Sequence, residues 1–284
     1  MRLTRVRLLA GTCLAAASLL AGCGTANPTP EVAPATSGVP IPAPASTSAA
    51  ASPAASGPVA GSLAAGSLAG KVIAVDPGHN GDAGAHPEIV NKLVNAVSKW
   101  KPCETTGTET DAGYSEAAFN LDVAVRLAAL LRAAGATVVL TRTDNNGVGP
   151  CFDQRAAIGN KAHADAAVSI HADGAPASGH GFHVLVPVDV HGPSTAILVP
   201  SGRLGVDLRD AYAAGTGLPP STYIGTDGID PRSDMGGLNL STVPKVMLEC
   251  GNMRNAGDAA KLSAPAFRQR IAVAIADGLA RFLT

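Results

Sequence analysis

The sequence predicts a single α/β domain of three layers, with a mostly parallel (mixed) central sheet and helices on both faces. Three observations support this fold class. Short apolar runs that read as buried strands alternate with longer segments of helical periodicity. Several of the apolar runs stop abruptly at polar residues, as strands do at the carboxyl edge of an α/β sheet. The part that is expected to fold, residues 71–284, suffices for one well-packed domain, and we see no internal repeat.

The first 23 residues have the pattern of a secretory signal peptide. Three arginines lie within the first seven residues, and a short apolar stretch covers 8–20. The segment ends in Leu-Ala-Gly-Cys, which resembles the lipobox of bacterial lipoproteins. The resemblance implies cleavage before Cys23 and acylation of Cys23, which would hold the protein at a membrane outside the cytoplasm. The alternative is an ordinary signal peptide with a chance cysteine.

Residues 24–70 are expected to form a disordered tether. They are mostly alanine, proline, serine, glycine and threonine, with Glu31 as the one charged residue and no aromatic residue. Such a segment cannot bury enough apolar surface to offset the entropy lost on ordering. The predicted plan is a signal peptide (1–23), a tether (24–70) and a folded domain (71–284).

Charge and cysteine content narrow the function classes. The net charge is −1 and no basic run occurs, so nothing indicates that the protein binds nucleic acid. We also expect a monomer. Cys103, Cys151 and Cys250 belong to the domain, which has no CxxC motif for a cysteine-based zinc site. In an oxidising exported setting two of the three should pair. We expect a disulfide between Cys103 and Cys151, which lie in polar, loop-like stretches, and a packed thiol at Cys250.

The first predicted strand, 72–75, is stopped by Asp-Pro-Gly and followed at once by His79. Residues 80–114 are long and irregular, with apolar spacing only over 89–97 to suggest a short helix. Loops of this length in a compact domain tend to be functional.

A long helix is expected next, with Ser115 as its N-cap and Gly135 as its left-handed C-terminal cap. This assignment puts Glu116 in the first turn. A second strand is expected over 136–140, and a helix over about 153–163.

The second half continues the alternation. A strand over 166–170 ends on His171, an edge-like strand covers 181–187, and a helix covers 204–214. Residues 218–241 are rich in glycine, proline, aspartate and serine, and we expect a long loop there.

The C-terminal part supplies the last strand and helix. A strand over 245–248 ends at Glu249. The last helix starts near Pro265, and its apolar stripe runs to Leu283.

Four side chains from separate segments are expected at one site. His79, His171 and Glu249 each follow an apolar run, and Glu116 opens a helix. Two imidazoles and a carboxylate are the ligand set of a catalytic zinc, which keeps a position for water. A second glutamate outside the ligand set can move protons. Singly, His79, His171 and Glu116 each have a structural explanation, whereas a lone buried carboxylate such as Glu249 is costly. Asp76 either orients a ligand or forms a turn.

The motifs DPGHNG, LTRTD, SIHAD and VPKVMLECGN, in this order, resemble those of the zinc-dependent N-acetylmuramoyl-L-alanine amidases of the amidase-3 type. The resemblance covers essentially all of the predicted domain. It implies zinc bound by His79, Glu116 and His171, with Glu249 as the catalytic carboxylate. It also implies hydrolysis of the amide between N-acetylmuramic acid and L-alanine, with peptidoglycan or muropeptides as the partner.

Four further residues are candidate substrate contacts, namely Asn255, Asn239, Arg142 and His86. For Arg142 a structural ion pair is the alternative. Two other functions stay open: a zinc peptidase of similar architecture that cleaves wall peptides, and a non-catalytic lipoprotein that binds peptidoglycan. Glu249 argues against the second. The sequence does not distinguish polymeric wall from small muropeptides as the substrate.

Overall fold

The structure is a computed structural model that describes residues 63–284. The strands of this part of the chain form a six-stranded sheet and a separate two-stranded hairpin. The eight strands are β1 Val72–Pro77, β2 Leu93–Asn95, β3 Trp100–Pro102, β4 Thr137–Leu140, β5 Ala166–Asp173, β6 His183–Pro187, β7 Ile229–Arg232 and β8 Lys245–Asn252. The main sheet has the order β4-β1-β5-β8-β6-β7, and β2 pairs with β3. In the main sheet only β6 and β8 pair in antiparallel fashion. The predicted mixed, mostly parallel sheet is confirmed.

Helices cover both faces of the main sheet, as predicted. They are α1 Pro87–Val90, α2 Glu116–Ala133, α3 Phe152–Lys161, α4 Leu198–Thr216, α5 Gly236–Asn239, α6 Ala256–Ser263 and α7 Pro265–Leu283. Helices α2, α4 and α7 pack together over one face and enclose the main core, whereas α3 and α5 pack on the other face. Among these described helices, none has the length and apolar character that a membrane span needs.

Alternation along the central strands decides which side chains reach the site. In β5, Val168 and Ile170 belong to the main core beneath α2 and α7. Because successive side chains of a strand point to opposite faces, Ser169 and His171 lie on the face of α3 and α5. Strand β8 follows the same rule, so Glu249 shares this second face. The site is therefore built on the less thickly covered side of the sheet.

The folded domain begins earlier than the predicted boundary at residue 71. Leu68 is fully buried in the main core, and its backbone N–H donates to the carbonyl oxygen of Ala134 at 2.9 Å. Gly135, the predicted cap of α2, has φ of 96° and lies beside Ala69. The end of the predicted tether is thus packed against the end of α2, since a large apolar side chain there can complete the core.

Two predicted loops contain structure that the sequence pattern did not indicate. Of the helix predicted over 89–97, only the first two residues are helical, as the end of α1. The rest of the prediction is wrong, because residues 93–102 form the hairpin of β2 and β3. Val97 lies between these strands with φ of 71°. The predicted loop over 218–241 contains β7 and the four-residue α5. Such short elements depend on their neighbours rather than on local periodicity.

The remaining differences concern boundaries. Helix α4 starts six residues before the predicted Leu204, and its Pro200 falls in the first turn, where a missing N–H breaks no helical bond. Helix α6 was not predicted. Strands β5 and β8 continue past His171 and Glu249, because the two strands remain paired at these residues.

The predicted disulfide between Cys103 and Cys151 is present, and Cys250 is a buried free thiol, as expected. The bridge joins the end of β3 to the start of α3. The N–H of Phe152 also donates to the carbonyl oxygen of Cys103 at 3.1 Å. The bridge therefore fixes the hairpin and the loop after it against the main domain.

We expect the Cys103→Ala/Cys151→Ala variant to lose up to about 4 kcal/mol of unfolding free energy, because the bridge closes a loop of 48 residues. Denaturant titration of the variant and the parent measures this difference. The parent titrated in reductant should match the variant. An unchanged midpoint in both cases would contradict the prediction.

Candidate active site

A cavity of about 370 Å³ opens at the carboxyl ends of β1, β5 and β8. One side holds the four predicted site residues. The lining also includes the segment 101–108, the start of α3 and the region around the start of α5. The lining residues away from the four are Asp76, Gly78, Lys101, Pro102, Cys103, Glu104, Thr105, Thr106, Gly107, Thr108, Phe152, Arg155, Ser169, Ala172, Asp173, Gly174, Met235, Gly236, Gly237 and Met247.

The side chains of His79, Glu116 and His171 converge on one point of this cavity. Oε1 of Glu116 lies 3.1 Å from Nε2 of His79 and 3.0 Å from Nδ1 of His171. The two ring nitrogens are 3.2 Å apart. Ligand atoms around a tetrahedral zinc at about 2.0–2.2 Å are separated by roughly 3.3–3.6 Å. Two imidazole nitrogens and a carboxylate oxygen so close together therefore fit a small divalent cation.

Backbone and side-chain contacts hold the ligand set in place. Nδ1 of His79 donates to the carbonyl oxygen of Thr105 at 3.0 Å, and Oε1 of Glu104 lies 3.4 Å from the same Nδ1. This leaves Nε2 of His79 with a free lone pair toward the other ligands. Oε2 of Glu116 accepts from the backbone N–H of Thr108 at 3.0 Å. The loop 104–108 is thus the outer support of the ligand set.

Glycine at position 78 lets His171 approach the backbone of the DPGH turn. A Cβ atom at Gly78 would lie 2.1 Å from Cε1 of His171, a separation that no real contact shows. The next residue, His79, has φ of 57°, in the left-handed region that histidine visits more often than most residues. The turn therefore brings the two rings edge to face at 4.7 Å.

Asp76 lies beneath this turn at the centre of a buried ionic cluster. Its two carboxylate oxygens pair with Arg155 and Lys245, both at 3.0 Å, and accept from the hydroxyls of Thr141 and Ser169. Burial alone would raise the pKa of Asp76. The charges of Lys245 and Arg155 outweigh burial and hold the pKa well below its usual value. None of the hydrogen bonds of Asp76 goes to a histidine ligand, so the interpretation of Asp76 as a partner of one is wrong. Asp76 instead orients Arg155, which donates to the carbonyl oxygens of Pro77 and His79 in the turn.

Arg142 supports the same turn from the other side. Its guanidinium donates to the carbonyl oxygens of Pro77 and Gly78, both at 2.9 Å, and to that of Ala117 at 2.8 Å. Arg142 is buried and does not line the cavity. Its donors are committed to backbone carbonyl oxygens and to Oδ1 of Asn145. Arg142 therefore has a structural role, but through these hydrogen bonds and without the ion pair that the alternative named.

The other three predicted substrate contacts also lie outside the cavity lining. The His86 side chain is 45% exposed and pairs with Glu88 at 3.0 Å. Asn239 is fully buried and donates to two backbone carbonyl oxygens at 2.8 Å. Asn255 is the N-cap of α6 and accepts from two backbone N–H groups at 3.1 Å. These side chains stabilise loops and helix ends, so we do not retain them as substrate contacts.

Glu249 lies in a row of side chains across three strands. It pairs in register with His171 of β5 on one side and with His183 of β6 on the other. Its Oε2 is buried and has no hydrogen-bond partner within the described part of the chain. Burial of the carboxyl group, followed by the charges of Glu116 and Asp173, raises its pKa well above the usual value. This carboxyl group is therefore free to exchange a proton with a molecule in the cavity.

Several residues near the site were missed by sequence reasoning. Glu104 directly follows Cys103, the disulfide cysteine after β3, so the predicted bridge was an unused signal for the position of Glu104. His183 is 2% exposed, although it lies in a strand that the pattern predicts near the edge of the sheet. The ring of Tyr223 packs edge-on against His183 at 5.9 Å, and burial and then the charge of Asp173 raise the pKa of Tyr223. No local pattern places His183 beside Glu249, because their proximity comes from the pairing of β6 with β8.

The fold and the cavity define a class of α/β enzymes that carry a His/Glu/His set and a further carboxylate at the carboxyl edge of a mixed sheet. The chain belongs to the amidase-3 family, because the model of that family, described as N-acetylmuramoyl-L-alanine amidase, matches residues 73–281. The protein is therefore an enzyme of the amidase class.

Relatives with known names agree with this assignment. The chain is 41% identical over 215 residues to the N-acetylmuramoyl-L-alanine amidase Rv3717 of Mycobacterium tuberculosis, which covers 75% of this chain and 87% of the relative. It is 44% identical to the crystal structure of the amidase Ami1 from Mycobacterium smegmatis, with a TM-score of 0.72 and coverage of 76% and 98%. Apo Ami1 from Mycobacterium abscessus has a TM-score of 0.72 at 42% identity, with coverage of 76% and 100%.

Proposed function

We propose that the protein is a zinc-dependent hydrolase of peptidoglycan. Its substrate is the amide between the lactyl group of N-acetylmuramic acid and L-alanine of the stem peptide. The observation that carries this proposal is the convergence of His79, Glu116 and His171 in a cavity that also holds Glu249. Family membership supports the choice of bond.

In this proposal His79, Glu116 and His171 hold the zinc ion. Bound zinc would supply Lewis-acid polarisation of the amide carbonyl and acidify the attacking water. Glu104 and Thr105 fix the ring of His79, and Thr108 fixes the carboxylate of Glu116. These contacts keep the ligand set in place before substrate enters, which limits reorganisation during the reaction.

Glu249 carries the proton in the proposed reaction. Its carboxylate takes a proton from the attacking water and returns it to the nitrogen of L-alanine, so that the amine can leave. One water is consumed, the C–N bond breaks, and the products are a muramoyl carboxylate and a free peptide amine. A cation bound by the ligand set would lower the raised pKa of Glu249. A pKa nearer to the working pH lets one carboxyl group both take up the proton of the water and return it to the leaving nitrogen.

Zinc content provides the direct test of the ligand assignment. We expect His171→Ala to lose stoichiometric zinc, measured by elemental analysis after dialysis, because one of three protein ligands is removed. The matched control is His86→Ala, which changes an exposed histidine outside the cavity and should keep zinc at the parent level. Full zinc and full activity in His171→Ala would refute the assignment.

Product analysis separates the proposed amidase from a zinc peptidase. Digestion of muropeptides with and without chelator should release glycan without peptide and an intact stem peptide with a free L-alanine amine. Cleavage within the stem peptide would instead support the peptidase.

The N-terminal assignments extend the proposal to the cell envelope. The signal peptide, Cys23 and nearly all of the predicted tether lie outside the described residues. We infer export, acylation of Cys23 and attachment to the membrane, with the domain outside the cytoplasm. The LAGC motif and the disulfide support this placement. Mass spectrometry of the mature N-terminus tests it, since an unmodified or uncleaved terminus would contradict acylation.

A further inference from the structure

The hairpin beside the cavity carries two exposed apolar side chains. Trp100 is 65% exposed and Leu93 is 64% exposed. In the register of the hairpin Leu93 pairs with Pro102, and Asn95 pairs with Trp100. Strand alternation therefore places these four side chains on one face, with Trp100 and Leu93 as diagonal neighbours. We call this face, formed by Leu93, Asn95, Trp100 and Pro102, the hairpin platform.

The hairpin platform continues directly into the cavity. Lys101, Pro102 and Cys103 follow Trp100 in the chain, and all three line the cavity. Nζ of Lys101 donates to the carbonyl oxygen of Asp234 at 2.9 Å, and Cys103 is tied to α3 by the disulfide. The platform is thus fixed at the cavity rim by bonds at its cavity end, so a molecule bound in the cavity and extending past Pro102 would meet Trp100.

The exposure of Trp100 is costly without a partner. Full burial of a large apolar side chain contributes about 1.5–3 kcal/mol, which an exposed tryptophan largely forgoes. Single exposed apolar residues are common, as Val199 at 86% exposure illustrates. Two large apolar side chains side by side at the rim of an active site are a different case, because such patches mark interaction surfaces.

We propose that the hairpin platform binds the glycan strand of peptidoglycan, with a sugar ring stacked on Trp100. This proposal rests on the proposed function, which places the lactyl amide of a muramoyl residue in the cavity. The faces of a pyranose ring carry C–H groups that pack on the indole, while the hydroxyls at its edge stay in water or reach Asn95. An acetamido methyl group can pack on Leu93.

The size and position of the platform favour a glycan over a second protein. A stable protein interface buries about 800 Å² on each partner, far more than two side chains provide. One indole and one leucine match the area of one or two sugar rings. The glycan is also the arm of the substrate that continues beyond the reacting residue as a polymer, so part of it must leave the cavity over the rim.

The proposal makes polymeric wall the preferred substrate. Sugars that stack on Trp100 lie remote from the reacting amide, and binding energy from remote groups can raise kcat/KM. A muropeptide with a single sugar would not extend past Pro102 to Trp100, so it would gain nothing from the stacking.

Intrinsic fluorescence tests binding, because Trp100 is the sole tryptophan of the sequence. The full chain is titrated with a peptide-free glycan fragment several disaccharides long. We expect a saturable change in emission with this glycan, and none with free stem peptide. No response to glycan would overturn the proposal. So would a response that depends on protein concentration, as binding of a second copy would cause.

Kinetics test the consequence for catalysis. Trp100→Ala should lower kcat/KM about tenfold on glycan polymer and leave it unchanged on a single-sugar muropeptide. Trp100→Phe should retain most of the polymer activity, and Val199→Ala should match the parent on both substrates. Equal losses of Trp100→Ala on both substrates, or no loss on polymer, would overturn the platform. A parent enzyme that cleaves neither substrate would instead refute the proposed function, while the fluorescence titration still decides glycan binding.

Discussion

Glu249→Gln should retain its zinc and lose activity by about 10²–10⁴-fold, the contribution of a positioned acid–base group. Glutamine has the shape of glutamate but cannot take up the proton of the attacking water. The leaving nitrogen would then depart without its proton, which makes the amide bond hard to break. The three ligand side chains are untouched, so zinc content should equal that of the parent. Turnover of muropeptide and elemental analysis measure the two quantities on the same preparation.

Two further variants assign roles to the glutamates. Glu116→Gln should lose zinc and activity together, because Oε1 of Glu116 lies within 3.1 Å of both histidine nitrogens. Glu109→Gln is the matched control: Glu109 is exposed and does not line the cavity, so this variant should behave as the parent. If Glu249→Gln lost zinc while Glu116→Gln kept it, the two carboxylates would be assigned the wrong way round.

The site residues that the sequence predicts together each lie at a recognisable place in the chain, where an apolar run ends or a helix begins. His79, His171 and Glu249 occur where an apolar run gives way to polar residues, and parallel strands deliver such positions to one edge of a sheet. Glu116 was found because Ser115 begins a helix at a recognisable cap. These signals are local, so a single sequence contains them.

The residues that were misassigned depend on contacts between distant segments. Asn239 and Arg142 look available in the sequence, but each donates to backbone carbonyl oxygens of segments far away in the chain. His183 looks like a surface residue until β6 pairs with β8 and brings it beside Glu249. Strand order is not encoded in local periodicity, so these partners could not be read from the pattern.

The same distinction between local signals and distant contacts explains which elements of the fold the sequence predicts. Long helices such as α2 and α7 have an apolar stripe that defines them without neighbours. The hairpin of β2 and β3 has only three residues in each strand and is held by the disulfide and by hydrogen bonds to 233–234. An element that owes its stability to a cross-link has little local signal, so the irregular composition of 80–114 concealed it.

Asp76→Asn should destabilise the domain by about 3–5 kcal/mol, because it leaves the buried Lys245 without its partner carboxylate. It also removes one of the two carboxylates beside the buried Arg155, which keeps Glu104 at 3.2 Å. The side chains of Asp76, Arg155 and Lys245 are 7%, 4% and 3% exposed. Asparagine can replace the shape and one acceptor, but it supplies no negative charge. Denaturant titration of the variant and the parent near neutral pH gives the difference in unfolding free energy.

Asp122→Asn is the matched control for burial. Asp122 also pairs with two arginines, Arg126 and Arg268, but its side chain is 33% exposed, so water screens the charges. We expect a loss of about 1 kcal/mol or less. Equal losses in the Asp76 and Asp122 variants would show that burial of the cluster does not determine its contribution.

The pH dependence of stability tests the charge of Asp76 directly. A carboxylate whose folded pKa is depressed contributes stability that is fully present above its unfolded pKa, about 3.9, and is lost as the pH falls through the folded pKa. The parent should therefore lose stability below about pH 4, and Asp76→Asn should lose less over the same range.

In the Asp76→Asn background, Lys245→Met should recover part of the loss at neutral pH, because it removes one uncompensated cation. A further loss in the double variant would mean that packing of Lys245, rather than its unpaired charge, determines stability at this position.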